Sequence, residues 1–468
     1  MGVARERRRE AHGGARDGTG DSLAASRALL RLLRGHQGDA RGSSGGGRAR
    51  GADPVPVLCR ARRVPPRRSG RLRRDGHAAV TRTADVVIVG GGVTGVSIAF
   101  HLAGAGVRRV VVLERRFLAS GGTGRSVGIV RQLYPTTETS AMVRRSLSVF
   151  QDFANVVGGD AGYVACGALI GVAPAMRSKL EANLAMQRGL GIRAEILEPA
   201  DVARVEPAID PAGLGAVLWE PESGYGDPTG VTLAYADAAR RRGVVIEQGV
   251  EVTALDVDGD RVRGVRTASG DRIDAPVAVN AAGLWSPAIA RLAGVTLPII
   301  VGRHPVFTIE RGPALPAHRV YLDLAGGSYV RPETGHLTLT GSLTDDETEH
   351  PMDPELLGAE AGFEEAAAVL ERTGRAVPSL ADARYRRGYA GAFDITPDWM
   401  PVLDQTGPAG LFTAAGMSGH GFKLAPSVGE MMAALITGAT PPVSAAPFRL
   451  DRFAAIEAGG TFVASYLR

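Results

Sequence analysis

The chain has 468 residues, 44% hydrophobic and 22% charged, with a formal net charge of +5. That is room for two domains around substantial cores, and no stretch approaches the roughly 18 uninterrupted apolar residues of a membrane span. Two cysteines, Cys59 and Cys166, exclude a disulfide framework and a cysteine-ligated metal site; reduced thiols in a cytoplasmic protein are expected, with one Cys59–Cys166 bridge as the alternative.

The charge is unevenly placed. Residues 1–83 carry 20 arginines, no lysine and 7 acidic residues, so +13 at the N-terminus masks an acidic body of −8. No nucleic-acid surface is expected on that body. The Arg/Gly/Ser-rich stretch has too little apolar surface to offset chain entropy and is predicted to be a disordered, dispensable extension. Within it, residues 22–34 (SLAASRALLRLLR) have the pattern of a basic amphipathic helix, which keeps a transit peptide open.

Order is predicted from Ala84. The run DVVIV (85–89) reads as a buried parallel strand, followed by a helix from about Val93 to Ala103 that Gly104 and Gly106 end. RVVVLE (109–114) is a second parallel strand, completing a βαβ unit. Helices are expected over 138–156, 175–189 and 229–242, strands over 161–172 and 244–247, and a meander of short strands over 256–275 with Asp258-Gly259 and Ser269-Gly270 as turns. A buried strand follows at 276–283, a β-rich stretch over 301–345, an acidic helix at 354–373, and a last helix from about Pro426 to Thr437.

Gly90-Gly91-Gly92-Val93-Thr94-Gly95 is G-x-G-x-x-G between a strand and a helix. Gly90 permits the tight turn, Gly92 lets backbone approach a pyrophosphate, and Gly95 lets helix pack on strand. The free N–H groups of the helix N-terminus, with Val93 and Thr94, then face the phosphates. Glu114 ends the second strand, where a carboxylate accepts ribose hydroxyls and repels a 2′-phosphate. The motif indicates a dinucleotide other than NADP and does not itself choose FAD over NAD. Residues 119–126 lack the glycine and lysine of a P-loop, and residues 416–420 lack the last glycine of a nucleophile elbow. Six histidines after residue 84 are scattered without ligand spacing, so no metal is expected.

Four further segments narrow the choice. ASGGTGRSVGIVRQLY (119–134), VNAAGLWS (279–286) with Val252 before it, YVRPETG (329–335) and GMSGHGFKLAP (416–426) resemble, in order, the motifs of the D-amino-acid oxidase / sarcosine oxidase (glycine oxidase-like) family. The resemblance implies an α/β fold, with a Rossmann-type FAD-binding domain (84–140, 225–300 and 385–445) interleaved with a β-rich α+β substrate domain (141–224 and 301–384). It places FAD on Gly90, Gly92, Val93, Thr94, Gly95, Glu114, Arg115, Gly124, Arg125, Ser126, Val252, Ala282, Gly283, Gly416, Gly419, His420, Gly421, Phe422 and Lys423. A helix start after the GHG glycines would stabilise negative charge at the reduced flavin's N1 and C2 carbonyl, with Pro426 suited to its first turn.

Lysine is scarce here: among 54 basic residues only Lys179 and Lys423 are lysines, and Lys423 falls inside the flavin motif. By resemblance, Lys423 and Arg131 hold a substrate carboxylate. The implied reaction is oxidation of a C–N bond in a small secondary or N-methylated amino acid such as sarcosine, with hydride passing to flavin N5. The electron acceptor is O2 or an acceptor protein or quinone. An FAD-binding assembly subunit within a hetero-oligomer is a further alternative. Arg125 stands where relatives with covalent flavin have histidine, and GYAGAFDITPD (388–398) has no cysteine, so the FAD is expected to be non-covalent.

Overall fold

Runs of branched aliphatic residues build a six-stranded sheet, in the order Val402–Gln405, Leu411–Ala415, Val277–Asn280, Val86–Val89, Val110–Glu114 and Val245–Gln248. All pairs are parallel except the first. Every residue of Val86–Val89 and Val110–Glu114 is buried, as strands covered on both faces require. This computed structural model describes residues 80–312, 317–344 and 351–454. Most of the N-terminal stretch, including its expected helix at 22–34 and Cys59, lies outside those residues.

One face of this sheet is covered by the helices Val93–Gly104, Thr137–Gln151, Pro228–Arg241 and Gly421–Thr437, which share one core with Ile88, Val112 and Val279. Gly429 permits the closest crossing: a Cβ there would lie 2.2 Å from Ser97 Oγ. The other face packs against a four-stranded sheet made of Thr81–Thr83 and the meander Val252–Asp258, Arg261–Thr267 and Arg272–Asp274. A second large sheet has eight strands, in the order Arg384–Ile395, Ile300–Glu310, Leu337–Ser342, Ser328–Pro332, Val320–Asp323, Ala168–Val172, Ala216–Glu220 and Glu195–Leu197. The two-stranded ladder of Ile129–Val130 with Gly224–Tyr225 runs beside it.

Several expectations are corrected. Order starts before Ala84: Thr81–Thr83 pairs with Arg272–Asp274, and Arg82 bridges to Glu247. A chain beginning at Ala84 should therefore melt about 2–4 °C below one beginning at residue 76 in a thermal scan. Of 161–172 only Ala168–Val172 is a strand, Val164 forming a single bridge to Tyr225. The acidic helix is Phe363–Ala376 and not 354–373; Gly362 turns the chain into it, and its N–H donates to Glu365 Oε2 at 2.7 Å.

The last helix starts at Gly421, which puts Pro426 inside it rather than in its first turn. The missing N–H is tolerated because tertiary partners serve the flanking backbone: Ser427 N–H donates to Ser146 Oγ at 3.2 Å, and Ser97 Oγ donates to Ala425 O at 2.8 Å. The expected domain limits also shift. Met142, Val143, Leu147 and Phe150 join the core of the six-stranded sheet, although 141–224 was assigned to the substrate domain. Arg384–Ile395 belongs to the eight-stranded sheet, although the segment from 385 was assigned to the cofactor domain.

Candidate active site

The Gly90 turn lies at the C-terminal end of Val86–Val89, where a parallel sheet opens a crevice. Gly90 has φ 115° and a Cβ would lie 2.3 Å from Ala281 O, while a Cβ on Gly95 would lie 2.0 Å from Gly90 O. Only glycine lets the strand ends and helix meet this closely. The N-cap Gly92 has no side chain to cap the helix Val93–Gly104, and the first turn has no acidic residue. Thr123 Oγ1 accepts the Val93 N–H at 3.2 Å, and the positive end faces the crevice. Glu114 Oε2 accepts Gly91 N–H at 2.8 Å and its Oε1 accepts Arg116 N–H at 2.8 Å. The carboxylate thus locks the glycine turn to the end of the second strand.

A cavity of about 410 Å³ opens from this turn. Of the expected cofactor residues, Gly90, Gly92, Val93, Thr94, Glu114, Arg115, Arg125, Ser126, Val252, Ala282, Gly283, Gly419, Gly421 and Phe422 line it. Gly95, Gly124, Gly416, His420, Lys423 and Arg131 are not in its wall. The glycines among them act through close packing: a Cβ on Gly124 would lie 2.5 Å from Ala119 O, and one on Gly416 2.4 Å from Thr396 Cγ2. Trp285, Thr123, His304, Phe393, Asp394 and Met417 also line the cavity and were not identified from sequence.

The other three cluster at the start of the last helix. Lys423 is only 6% exposed and Arg131 only 3%. Lys423 Nζ donates to Gly419 O at 3.3 Å and stands 3.5 Å from His420 Nδ1. The Arg131 guanidinium lies over the Tyr134 ring, 4.8 Å from its centre, and donates through Nη1 to Leu133 O. Tyr134 in turn meets His420 edge-on at 5.1 Å. Burial, and then the Arg131 charge, hold the Lys423 amine well below its ordinary pKa; burial, Lys423 and Arg131 do the same to His420. Arg131 and Lys423 are buried groups whose charges disfavour each other, a cost that a bound anion would relieve.

A family model for FAD-dependent oxidoreductases (DAO) matches residues 85–435. The chain belongs to this family. The 4-methylaminobutanoate oxidase (formaldehyde-forming) of Paenarthrobacter nicotinovorans is 30% identical over 390 residues, covering 81% of this chain and 46% of that protein. Sarcosine oxidase subunit beta of Rhizobium meliloti (strain 1021) is 31% identical, covering 79% of this chain and 88% of that one. The L-proline dehydrogenase of P. horikoshii superposes with a TM-score of 0.73 at 26% identity, over 80% of this chain and 99% of that chain. The chain thus spans about half the length of the first of these relatives.

FAD is the cofactor of this DAO-family oxidoreductase. The glycine turn, the helix N-terminus without an acidic residue and the cavity fit that group, and Arg115 and Arg125 add positive charge to its wall. Arg125 Nη1 donates to Ser120 O and, at 3.1 Å, to Gly121 O, so the side chain braces the loop it stands on. No cysteine lines the cavity among the described residues. With Arg125 at the position where relatives with covalent flavin have histidine, acid precipitation should release yellow FAD to the supernatant; flavin fluorescence that stays with the polypeptide on a denaturing gel would contradict non-covalent binding.

Asp394 is a buried acid in the wall of this cavity. Its Oδ2 accepts Gly416 N–H at 2.8 Å, tying the flavin motif to the strand Arg384–Ile395. Burial pushes its carboxyl up to about 6, against the N–H donors of Met417 and Gly416. A folded pKa raised above the unfolded value means stability present below pH 3.8 and lost as pH rises through 6. Relative to Asp394→Asn, the parent should lose about 1 kcal/mol between pH 5 and 7, read from denaturant midpoints. A flat difference would show that Asp394 stays ionised throughout. Beside it, His304 stacks on Phe393 at 4.2 Å and meets Tyr329 OH through Nε2 at 3.1 Å.

Among the described residues no group of histidine, cysteine and acidic side chains is arranged to hold a metal ion. No described helix is long and apolar enough to cross a membrane.

Proposed function

We propose that this flavoprotein oxidises the C–N bond of a small secondary or N-methylated amino acid, of which sarcosine is the type. The observation that carries the reading is the buried Arg131–Lys423 pair at the start of the flavin-motif helix. When bound, FAD supplies the two-electron acceptor for hydride from the carbon next to nitrogen. The chain's own residues do the placing. Arg131 and Lys423 take the carboxylate by charge-assisted hydrogen bonds and so fix which C–H faces the cofactor. The pair's burial excludes water, which strengthens that grip. The imine product would hydrolyse to amine and carbonyl. The names of the relatives, a methylaminobutanoate oxidase and a sarcosine oxidase subunit, support the substrate class.

In this reading Arg131 and Lys423 touch substrate, and Glu114, Arg125 and Asp394 shape the site. A second reading concerns where the electrons go. Lys179, the other lysine, is exposed on the helix Arg177–Gly189, away from the cavity wall, so Lys423 is the sole lysine at the site among the described residues. Some oxidases that this chain resembles place a second lysine over the flavin to promote reaction with O2, and Lys179 is not so placed, which favours a dehydrogenase that passes electrons to a protein or quinone over an oxidase. Turnover of sarcosine in air and with an artificial electron-accepting dye separates the two: dye reduction far outrunning peroxide formation is expected. Absence of turnover with every acceptor would favour an FAD-binding assembly subunit within a hetero-oligomer.

A further inference from the structure

Glu220 ends the strand Ala216–Glu220 in the eight-stranded sheet and is fully buried. A buried carboxyl in a sheet core is costly unless charge and hydrogen bonds answer it. Its Oε2 accepts Gln132 N–H at 2.8 Å and Ser223 Oγ–H at 2.6 Å. The Leu133 N–H and the Arg131 charge also favour its ionised form, against a burial that pushes the carboxyl up. The carbonyl of Gln132 is held from the other side, accepting Gln187 Nε2–H at 2.9 Å. Residues 131–133 are therefore gripped by a strand and a helix of the sheet opposite the cofactor turn. Within the grip, Arg131 folds back onto Leu133 O, which sets the guanidinium over Tyr134.

We propose that Glu220 is a positioning residue for Arg131: it holds the 131–133 segment so that the guanidinium and the Lys423 amine converge on one carboxylate. The inference rests on the carboxylate-clamp reading above. Glu220 touches no substrate; it acts on where Arg131 points and on the charge beside it. A merely structural acid would be missed equally by every substrate. A positioning acid is missed only by ligands with a carboxylate.

The test compares Glu220→Ala, Glu220→Gln, Arg131→Ala and the Arg131→Ala/Glu220→Ala double variant as holoproteins. Acetate binding is read from the flavin absorbance, and turnover is read with sarcosine and with dimethylamine, its decarboxylated analogue. Glu220→Ala should raise the acetate Kd and the sarcosine KM about 10-fold, change kcat less than about 3-fold, and leave dimethylamine turnover unchanged. Glu220→Gln, which keeps an acceptor for the Gln132 N–H, should recover to within about 3-fold of the parent. The double variant should be no worse than Arg131→Ala alone, because the acid acts through the arginine.

Equal losses with dimethylamine, or additive losses in the double variant, would overturn the inference. So would an Arg131→Ala effect on acetate without a Glu220→Ala effect. An unchanged acetate Kd in Arg131→Ala would overturn the carboxylate reading itself, and this inference with it. If Glu220→Ala does not fold, Ser223→Ala removes one bond to the same carboxylate. It should raise the acetate Kd about 2- to 3-fold, and an unchanged Kd would overturn the proposal.

Discussion

Replacing Lys423 with Met or Arg131 with Ala should lower kcat/KM for the amino-acid substrate about 10- to 200-fold per site. Each side chain would make a charge-assisted hydrogen bond to the carboxylate in a largely dehydrated pocket, worth about 1.5–3 kcal/mol. The parent pays for that grip with two cationic groups that disfavour each other when no anion is present, Lys423 being held well below its ordinary pKa by burial and by Arg131. Lys423→Met should consequently leave the melting temperature unchanged or raise it, even as activity falls. A decarboxylated analogue should be poor with the parent and lose little more in either variant. If it loses as much as the amino acid, the two residues serve the flavin or the fold and not the carboxylate.

Gly95→Val should reduce FAD affinity by at least about 100-fold, the largest effect expected on the cofactor itself. A Cβ at position 95 would lie 2.0 Å from the Gly90 carbonyl, a backbone atom that cannot rotate away. Relief requires the helix Val93–Gly104 to move off the strand Val86–Val89, which carries its N-terminal amides away from the pyrophosphate position. Apoprotein yield and far-UV circular dichroism should change far less than flavin content, because the six-stranded sheet keeps its other contacts. Retention of FAD at parental affinity would mean that the helix does not hold the phosphates.

The parts of the site that were legible in the sequence are those encoded locally. The glycine turn, Glu114 and the buried valine strands fall within about thirty residues, so spacing and residue type suffice to place them. The scarcity of lysine likewise singled out Lys423, which is buried. The illegible parts are made by distant pairing. His304 reaches the cavity because the strand Ile300–Glu310 pairs with Arg384–Ile395, setting His304 opposite Gly391 and next to Phe393. Nothing in either segment alone carries that register.

A helix over 138–156 was readable from its periodicity, though it breaks at Asp152 into Thr137–Gln151 and Phe153–Val156, and its domain was not readable. Periodicity shows that a face is apolar, not which core receives it; contacts such as Ser146 with Ser427, 281 positions apart, decide that. Pro426 misled for a related reason. Proline at a helix start is the usual preference, but Ser146 and Ser97 provide tertiary partners that tolerate it one turn and more inside. Glu220 lay outside every motif because its partner Gln132 is 88 residues away.

Whether this flavoprotein oxidises a small amino acid gripped by its carboxylate is decided by anaerobic mixing of the holoprotein with a panel of amines. The flavin absorbance should bleach with sarcosine or another N-methylated or cyclic amino acid, bleach much more slowly with the matching decarboxylated amines, and lose that difference in Arg131→Ala. Bleaching by amine and amino acid at equal rates, or by no member of the panel while dithionite still reduces the flavin, would contradict carboxylate-gripped oxidation.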